Sequence, residues 1–308
     1  MLTEILKLEF IMAMLIAVGA VMKTRGKITD EGQACLTNIV IDVIIPCNII
    51  MSFIGQGNLD KLTESLPIIG LSALMMFLSV VIGKICFRRM DPEIRKLAEY
   101  GLVNSNALFI GLPVVLSLFG NEAGMLQSLY MIFVRSFVWS YGLGILAGKG
   151  SSLQETLKKN LTNHCMLAAA AGILLMLTGF ELPEVLTRTF SYFSSCLMAM
   201  SMLLIGCVLS GLDIRHVFRA DVWWFNLVRL IAAPAAALAV CLLLRTRPLI
   251  AAVVVIMMAM PSASMTAVLA PRYHCNQQYG GLVVATSTIM SIVTIPVWYL
   301  VLRLVYGI

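Results

Sequence analysis

The sequence predicts an all-α integral membrane protein. It should hold ten transmembrane helices as two five-helix repeats of inverted topology, each with its fourth helix broken. Three observations predict this. The 308 residues are 60% hydrophobic and only 12% charged, with mean hydropathy +0.93, where a soluble domain is nearer half apolar and about a quarter charged. Apolar runs of about 20 residues, enough to cross a bilayer, recur along the chain. Two runs, one in each half, are interrupted by polar residues and proline, a pattern that points to a secondary transporter's binding site. The composition leaves no room for a large soluble domain. The net charge of +6 is no nucleic-acid signature, because the basic residues cluster between apolar runs, where they set topology.

The first segment runs from about Leu2 to Met22. It carries Glu4, Lys7 and Glu9 in place of a basic leader region, and reads as a spanning helix, not a removable signal. The second, from about Ala34 to Gly55, is unusually polar, with Asn38, Asp42, Pro46 and Asn48. The third covers about Leu66 to Phe87, the interrupted fourth Gly101 to Phe119, and the fifth Ala123 to Gly148 with Arg135. A polar connector, Lys149 to Asn163, divides the chain into repeats 1–150 and 151–308. The sixth segment, Cys165 to Gly179, is short for a crossing, and Glu181 to Arg188 belongs to it or forms an interfacial turn. The seventh spans Tyr192 to Gly211, the eighth Val222 to Leu244 with Arg229 and Pro234, the ninth Leu249 to Ala270, and the tenth Gly281 to Val305. Five spans per half force the second half to insert upside down.

Most lysines and arginines lie in connectors after odd-numbered segments: Lys23, Arg25 and Lys27; Lys84 to Lys96; Lys149, Lys158 and Lys159; Arg215 and Arg219; and Arg272. That side should be cytoplasmic, which places both termini outside. The protein is expected in the cell membrane as a multi-pass chain.

The first interruption is Asn104 to Pro113. Pro113 lacks an N–H and would clash with the Phe109 carbonyl, and Gly111 adds freedom beside it. Gly111 and Pro113 are therefore the expected break, matched by Pro261 in the second interruption, Met260 to Ala267. Broken helices are tolerated in lipid only where protein or a watery cavity satisfies the freed backbone. Half-helix N-termini concentrate N–H donors and partial positive charge, which suits a carboxylate. Asn104 and Asn106 are substrate-binding candidates from one half, and Ser262, Ser264 and Thr266 from the other. The plainer alternative is that the amides satisfy broken backbone and the hydroxyls bond their own i−4 carbonyls.

Asp42 is a carboxylate deep in a predicted span and is the proton-coupling candidate. Its alternatives are a permanent ion pair with Arg135 or Arg229, or a position nearer the membrane interface. Those arginines are anion-balancing candidates by forked contact, or structural groups that snorkel. His164, His216 and His274 fall in connectors with no metal spacing and receive no role. The eight cysteines are scattered singly, without zinc or redox spacing. Gly142, Gly144, Gly172, Gly206 and Gly211 read as helix-packing positions. No metal or organic cofactor is expected; the coupling ion would be H+ or Na+.

Several of these stretches resemble one family. Asn106 to Gly120 is similar to the fourth-helix signature of the auxin efflux carrier family, and Met260 to Ala270 to its ninth-helix signature. Ser287 to Pro296 is similar to its last-helix pattern, Ile45-Pro46-Cys47 to the proline of its second helix, and Leu204-Ile205-Gly206 to its seventh. The resemblance covers nearly the whole chain and points to bacterial permease-type members. It implies crossed broken helices 4 and 9, a scaffold and a transport domain, elevator-like movement, and a homodimer. It also implies small organic anions as substrates: auxin in plants, malate- or malonate-like carboxylates in bacteria. Where the family often has Asn after the ninth-helix proline motif, this chain has Met265, so polar contacts there do not transfer.

The function expected is thus secondary transport of small organic anions, not enzymatic catalysis. No G-x-x-x-x-G-K-[ST] and no H-E-x-x-H occurs. A transporter-like sensor, a channel and, last, an intramembrane enzyme are the alternatives. The lipid bilayer is an expected partner and nucleic acid is not.

Overall fold

The computed structural model describes residues 2–54, 63–147, 164–180, 182–210, 219–273 and 275–308. The expected boundary at 150/151 and the whole of its connector lie outside them, as do Arg215, His216, Gly211 and His274. Among the described residues the chain is all-helical, with no strand beyond one isolated bridge.

In chain order the helices are α1 (Leu2–Thr24), α2 (Asp30–Ile39), α3 (Ile45–Phe53), α4 (Pro67–Cys86), α5 (Pro92–Val103), α6 (Leu112–Phe137), α7 (Leu143–Ala147) and α8 (His164–Thr178). They continue with α9 (Glu184–Ser195), α10 (Leu197–Ser210), α11 (Ala220–Leu227), α12 (Ala233–Leu243), α13 (Pro248–Ala259), α14 (Met265–Arg272) and α15 (Gln277–Tyr306). Among the described residues six helical stretches are long and apolar enough to cross a membrane: Asp30–Phe53, Thr63–Cys86, Ala107–Phe137, Glu184–Ser210, Ala220–Leu243 and Gln277–Tyr306. The Ala107–Phe137 stretch is not one rod. Gly120 sits at φ 78°, a left-handed conformation that glycine adopts freely, and it separates the predicted fourth and fifth segments. In the Glu184–Ser210 stretch the residues after 183 are helical and form α9, which is followed directly by α10, so they are not a turn.

Local chemistry explains the starts of helices. The Thr29 hydroxyl accepts from the Gly32 N–H at 3.0 Å to cap α2, with Asp30 and Glu31 in the first turn. Asp91 caps α5 ahead of Pro92 at the first helical position. The Asn276 amide oxygen accepts from the Tyr279 N–H at 2.9 Å and starts α15.

Three prolines share a further device. Pro46, Pro113 and Pro234 each follow a π-helical turn by two residues: Val40–Ile44, Ala107–Gly111 and Val228–Ala232. The wider register lets the helix pass a residue with no N–H to give. At Pro234 the carbonyl four residues back belongs to Leu230, and the Trp298 indole N–H donates to it at 2.8 Å.

The chain forms two compact units. One comprises Met1–Pro67, Leu108–Leu129 and Leu161–Gly211; the other comprises Ile68–Ala107, Tyr130–Asn160 and Leu212–Ile308. Each draws on both sides of the central connector, so the compact bodies are not the sequence halves. In the first unit α1 and α10 touch backbone to backbone: a Cβ on Gly19 would overlap the Leu203 carbonyl oxygen, and one on Gly206 the Ile16 carbonyl oxygen. Gly172 likewise accommodates the Phe53 ring. The second unit is built around α13, which is apolar on every side and buried from Ile250 through Ala259. Asn226 donates to the Thr286 hydroxyl at 2.8 Å and ties α11 to α15.

Candidate functional site

The two interruptions meet in the second unit. α5 ends at Val103, and Asn104 leaves the helix at φ −97°, ψ 93°. α13 ends at Ala259, and Met260 leaves it at ψ 144°. The released segments then pair side by side. The Asn106 N–H donates to the Pro261 carbonyl at 2.8 Å, and the Ala263 N–H to the Asn104 carbonyl at 3.0 Å. Ser105 faces Ser262 as an antiparallel bridge. Each break thereby satisfies polar groups freed by the other, as burial in an apolar medium demands.

The break in the fourth segment is not where the prolines suggested. It falls at Asn104–Asn106, whereas Gly111 closes a π-helical turn and Pro113 lies in the first turn of α6. Gly111 and Pro113 are therefore corrected from break residues to residues of a continuing helix, because the π turn accommodates the missing N–H. Pro261 does lie in the break of the ninth segment.

Asn104 is half-buried, and its side-chain amide donates to the Tyr100 hydroxyl at 2.9 Å. Asn106 is 5% exposed. Ser262 and Thr266 are fully buried; their hydroxyls lie 3.0 Å apart, and the Ser262 N–H donates to the Ser287 hydroxyl at 3.2 Å. Ser287 in turn donates to the Val284 carbonyl. These three hydroxyls hold the crossing together. Ser264 is half-buried and precedes the exposed Met265, which opens α14. Space is tight, since a Cβ on Gly101 would lie 2.9 Å from the Ser262 hydroxyl oxygen and 3.2 Å from the Phe225 ring.

Arg229 belongs to the same site. It is 1% exposed on the π turn between α11 and α12. Its Nε donates to the Met260 carbonyl at 2.7 Å and its Nη1 to the Leu102 carbonyl at 2.5 Å. The guanidinium thus bonds the C-terminal ends of both α5 and α13, where the last carbonyls have no intrahelical donor. Tyr130, buried and with no hydrogen-bond partner for its hydroxyl among the described residues, lies within electrostatic range of it. Arg135 is half-buried further along α6.

Asp42 belongs to the first unit. Its carboxylate is not deeply buried: the side chain is 47% exposed and accepts from, or pairs with, His164 Nδ1 at 2.9 Å. Its partner is therefore His164 and not an arginine, and the carboxylate is half-exposed, not enclosed by protein. His164 received no role from sequence because it read as a connector residue without metal spacing; in the structure it opens α8. Tyr100 and Ser287 were also missed; the first stands four residues before Asn104, one helical turn away, and the second lies in the last-helix run. Among the described residues no three His, Cys, Asp or Glu side chains gather as a metal site would require.

A family model described as membrane transport protein matches residues 2–299. The chain belongs to that family. This is the auxin efflux carrier family whose helix signatures the sequence resembles. Among relatives of this transport protein is an uncharacterized transporter of Methanocaldococcus jannaschii, 26% identical over 302 residues, covering 94% of this chain and 96% of the relative. Another is an uncharacterized transporter of Methanothermobacter thermautotrophicus, 27% identical over 293 residues, covering 94% and 95%. The transport protein is accordingly membrane-embedded, and its crossing lies in the matched region.

Proposed function

We propose that this membrane transport protein is a secondary carrier of small organic anions, carboxylates of the malate, malonate or auxin kind, and not an enzyme. The observation that carries the proposal is the reciprocal pairing of two interrupted helices beside a buried guanidinium. Charge bookkeeping favours an anion. Each helix end carries about half an elementary charge, positive at N-termini and negative at C-termini. The C-terminal ends of α5 and α13 and the Arg229 cation sum to about zero. The N-terminal ends that start at Ala107 and Met265 are left over, a positive field of about one charge beside the Asn104 and Asn106 amides.

In this reading the helices group into ten crossings: α1; α2 with α3; α4; α5 with the first part of α6; the rest of α6 with α7; α8; α9 with α10; α11 with α12; α13 with α14; and α15. They form two inverted repeats, with both termini outside a cell membrane. The unit that holds the crossing moves as the transport domain in an elevator-type cycle, and the other serves as scaffold and homodimer face. A proton gradient drives accumulation, with Asp42 and His164 as the group that loads the proton.

The test is uptake into proteoliposomes, with labelled mono- and dicarboxylates screened against organic cations and neutral solutes. Carboxylates alone should accumulate, and Asn106→Ala should lower uptake at least about tenfold, the loss of one good hydrogen bond to a charged group. Equal uptake of cations, or full activity in Asn106→Ala, contradicts the proposal.

A further inference from the structure

Arg229 is a buried cation whose partners carry no formal charge. Among the described residues no carboxylate forms an ion pair with it. Its Nε and Nη1 go to two carbonyls, and Nη2 is buried with no hydrogen-bond partner among the described residues. A charge in that position is strongly unfavourable unless something balances it. What balances it is the pair of helix ends: two C-termini of about half a negative charge each offset one guanidinium. In transporters with discontinuous helices such carbonyl ends, together with unwound backbone, are ligands for the coupling ion.

We infer that Arg229 is the resident cation of the crossing: its guanidinium occupies the two carbonyl ends at which a sodium ion would otherwise load, so the crossing takes up no alkali ion. The side-chain chemistry fits. The Leu102 and Met260 carbonyls come from different helices, 127 and 31 residues from Arg229. A planar fork spans two such acceptors at once, whereas an ammonium presents one point charge. The π turn Val228–Ala232 carries the side chain, and the Trp298 indole occupies the neighbouring Leu230 carbonyl. Arg229 is therefore a positioning residue, which holds the half-helix ends in register. That a sodium ion there would be a coupling ion rests on the carrier reading; the occupancy of the two carbonyls by Arg229 rests on the geometry.

The test needs no substrate. Purified full-length protein is melted in sodium, potassium and choline chloride at matched ionic strength. The wild type should melt at the same temperature in all three. Arg229→Ala should melt lower by on the order of 10 °C, the cost of emptying a buried charge site in a chain of this size. Millimolar guanidinium chloride, compared with choline chloride, should raise the melting temperature of Arg229→Ala and leave the wild type unchanged. Arg229→Lys should fall between the two proteins. Specific stabilisation of the wild type by sodium overturns the inference even where Arg229→Ala fails to fold. So does an Arg229→Ala protein that melts like the wild type, or one indifferent to guanidinium. Carboxylate uptake is measured separately, so its absence would overturn the carrier reading and leave this one standing.

Discussion

Replacing Gly101 with alanine probes the crossing without touching a candidate ligand. Gly101 lies in the last turn of α5, and at an unstrained helix position alanine would stabilise by about 1 kcal/mol. Here the new methyl would stand 2.9 Å from the Ser262 hydroxyl oxygen and 3.2 Å from the Phe225 ring, inside the 3.5–4.0 Å typical of carbon contacts. Ser262 relieves the closer contact only by swinging its hydroxyl off Thr266, now 3.0 Å away. Both residues are fully buried, so a hydroxyl left unpaired costs about 1–3 kcal/mol, and overpacking costs a similar amount. Gly101→Ala should therefore destabilise by about 1–3 kcal/mol net. At roughly 2–4 °C per kcal/mol, that is a fall of several degrees in thermal unfolding of the purified protein. In a Ser262→Ala background the 2.9 Å contact is gone, and the double variant should be more stable than the sum of the singles by about 1 kcal/mol. A Gly101→Ala protein that melts higher than wild type, or singles that simply add, would refute the reasoning.

Two other predictions follow from the first unit. Gly206→Ala should destabilise by at least about 1–3 kcal/mol, because the methyl meets the Ile16 carbonyl oxygen and not a movable side chain; a melt unchanged from wild type would contradict that packing. Asp42→Asn and His164→Gln should each abolish the response of carboxylate uptake to an imposed proton gradient while exchange down the substrate gradient persists. Uptake that still follows the proton gradient in both variants would remove this pair from the coupling reaction.

How much was legible in the sequence differs between the two breaks. Pro261 is preceded by α13 and followed by small polar residues, and no π turn stands before it. Its missing N–H therefore marks a true interruption, and sequence located it. Pro113 carries the same local signal, yet the helix continues through it, because the turn Ala107–Gly111 absorbs the defect. The break instead follows Asn104, whose amide reaches back to Tyr100 and whose carbonyl is taken by a residue of the ninth segment. That partner lies more than 150 positions away, and no local pattern encodes it. Arg229 was visible as an unusual residue inside a span, but its carbonyl ligands come from two other helices, so sequence left open whether it balances an anion or supports the fold. Asp42 was read as deep because its neighbours are apolar. Its exposure and its pairing with His164 depend on where α8 begins, beside a polar connector.

The claim that the paired interruptions form an anion site is tested most directly at Ser264, which is half-buried beside the start of α14. In a background with the eight native cysteines replaced, Ser264→Cys is treated with a membrane-impermeant thiol reagent, with and without the carboxylate that accumulates best in proteoliposomes. Reaction from water that the carboxylate slows, while an organic cation does not, is the result this account predicts. Labelling at the same rate with and without the carboxylate, or only by lipid-soluble reagents, would contradict it.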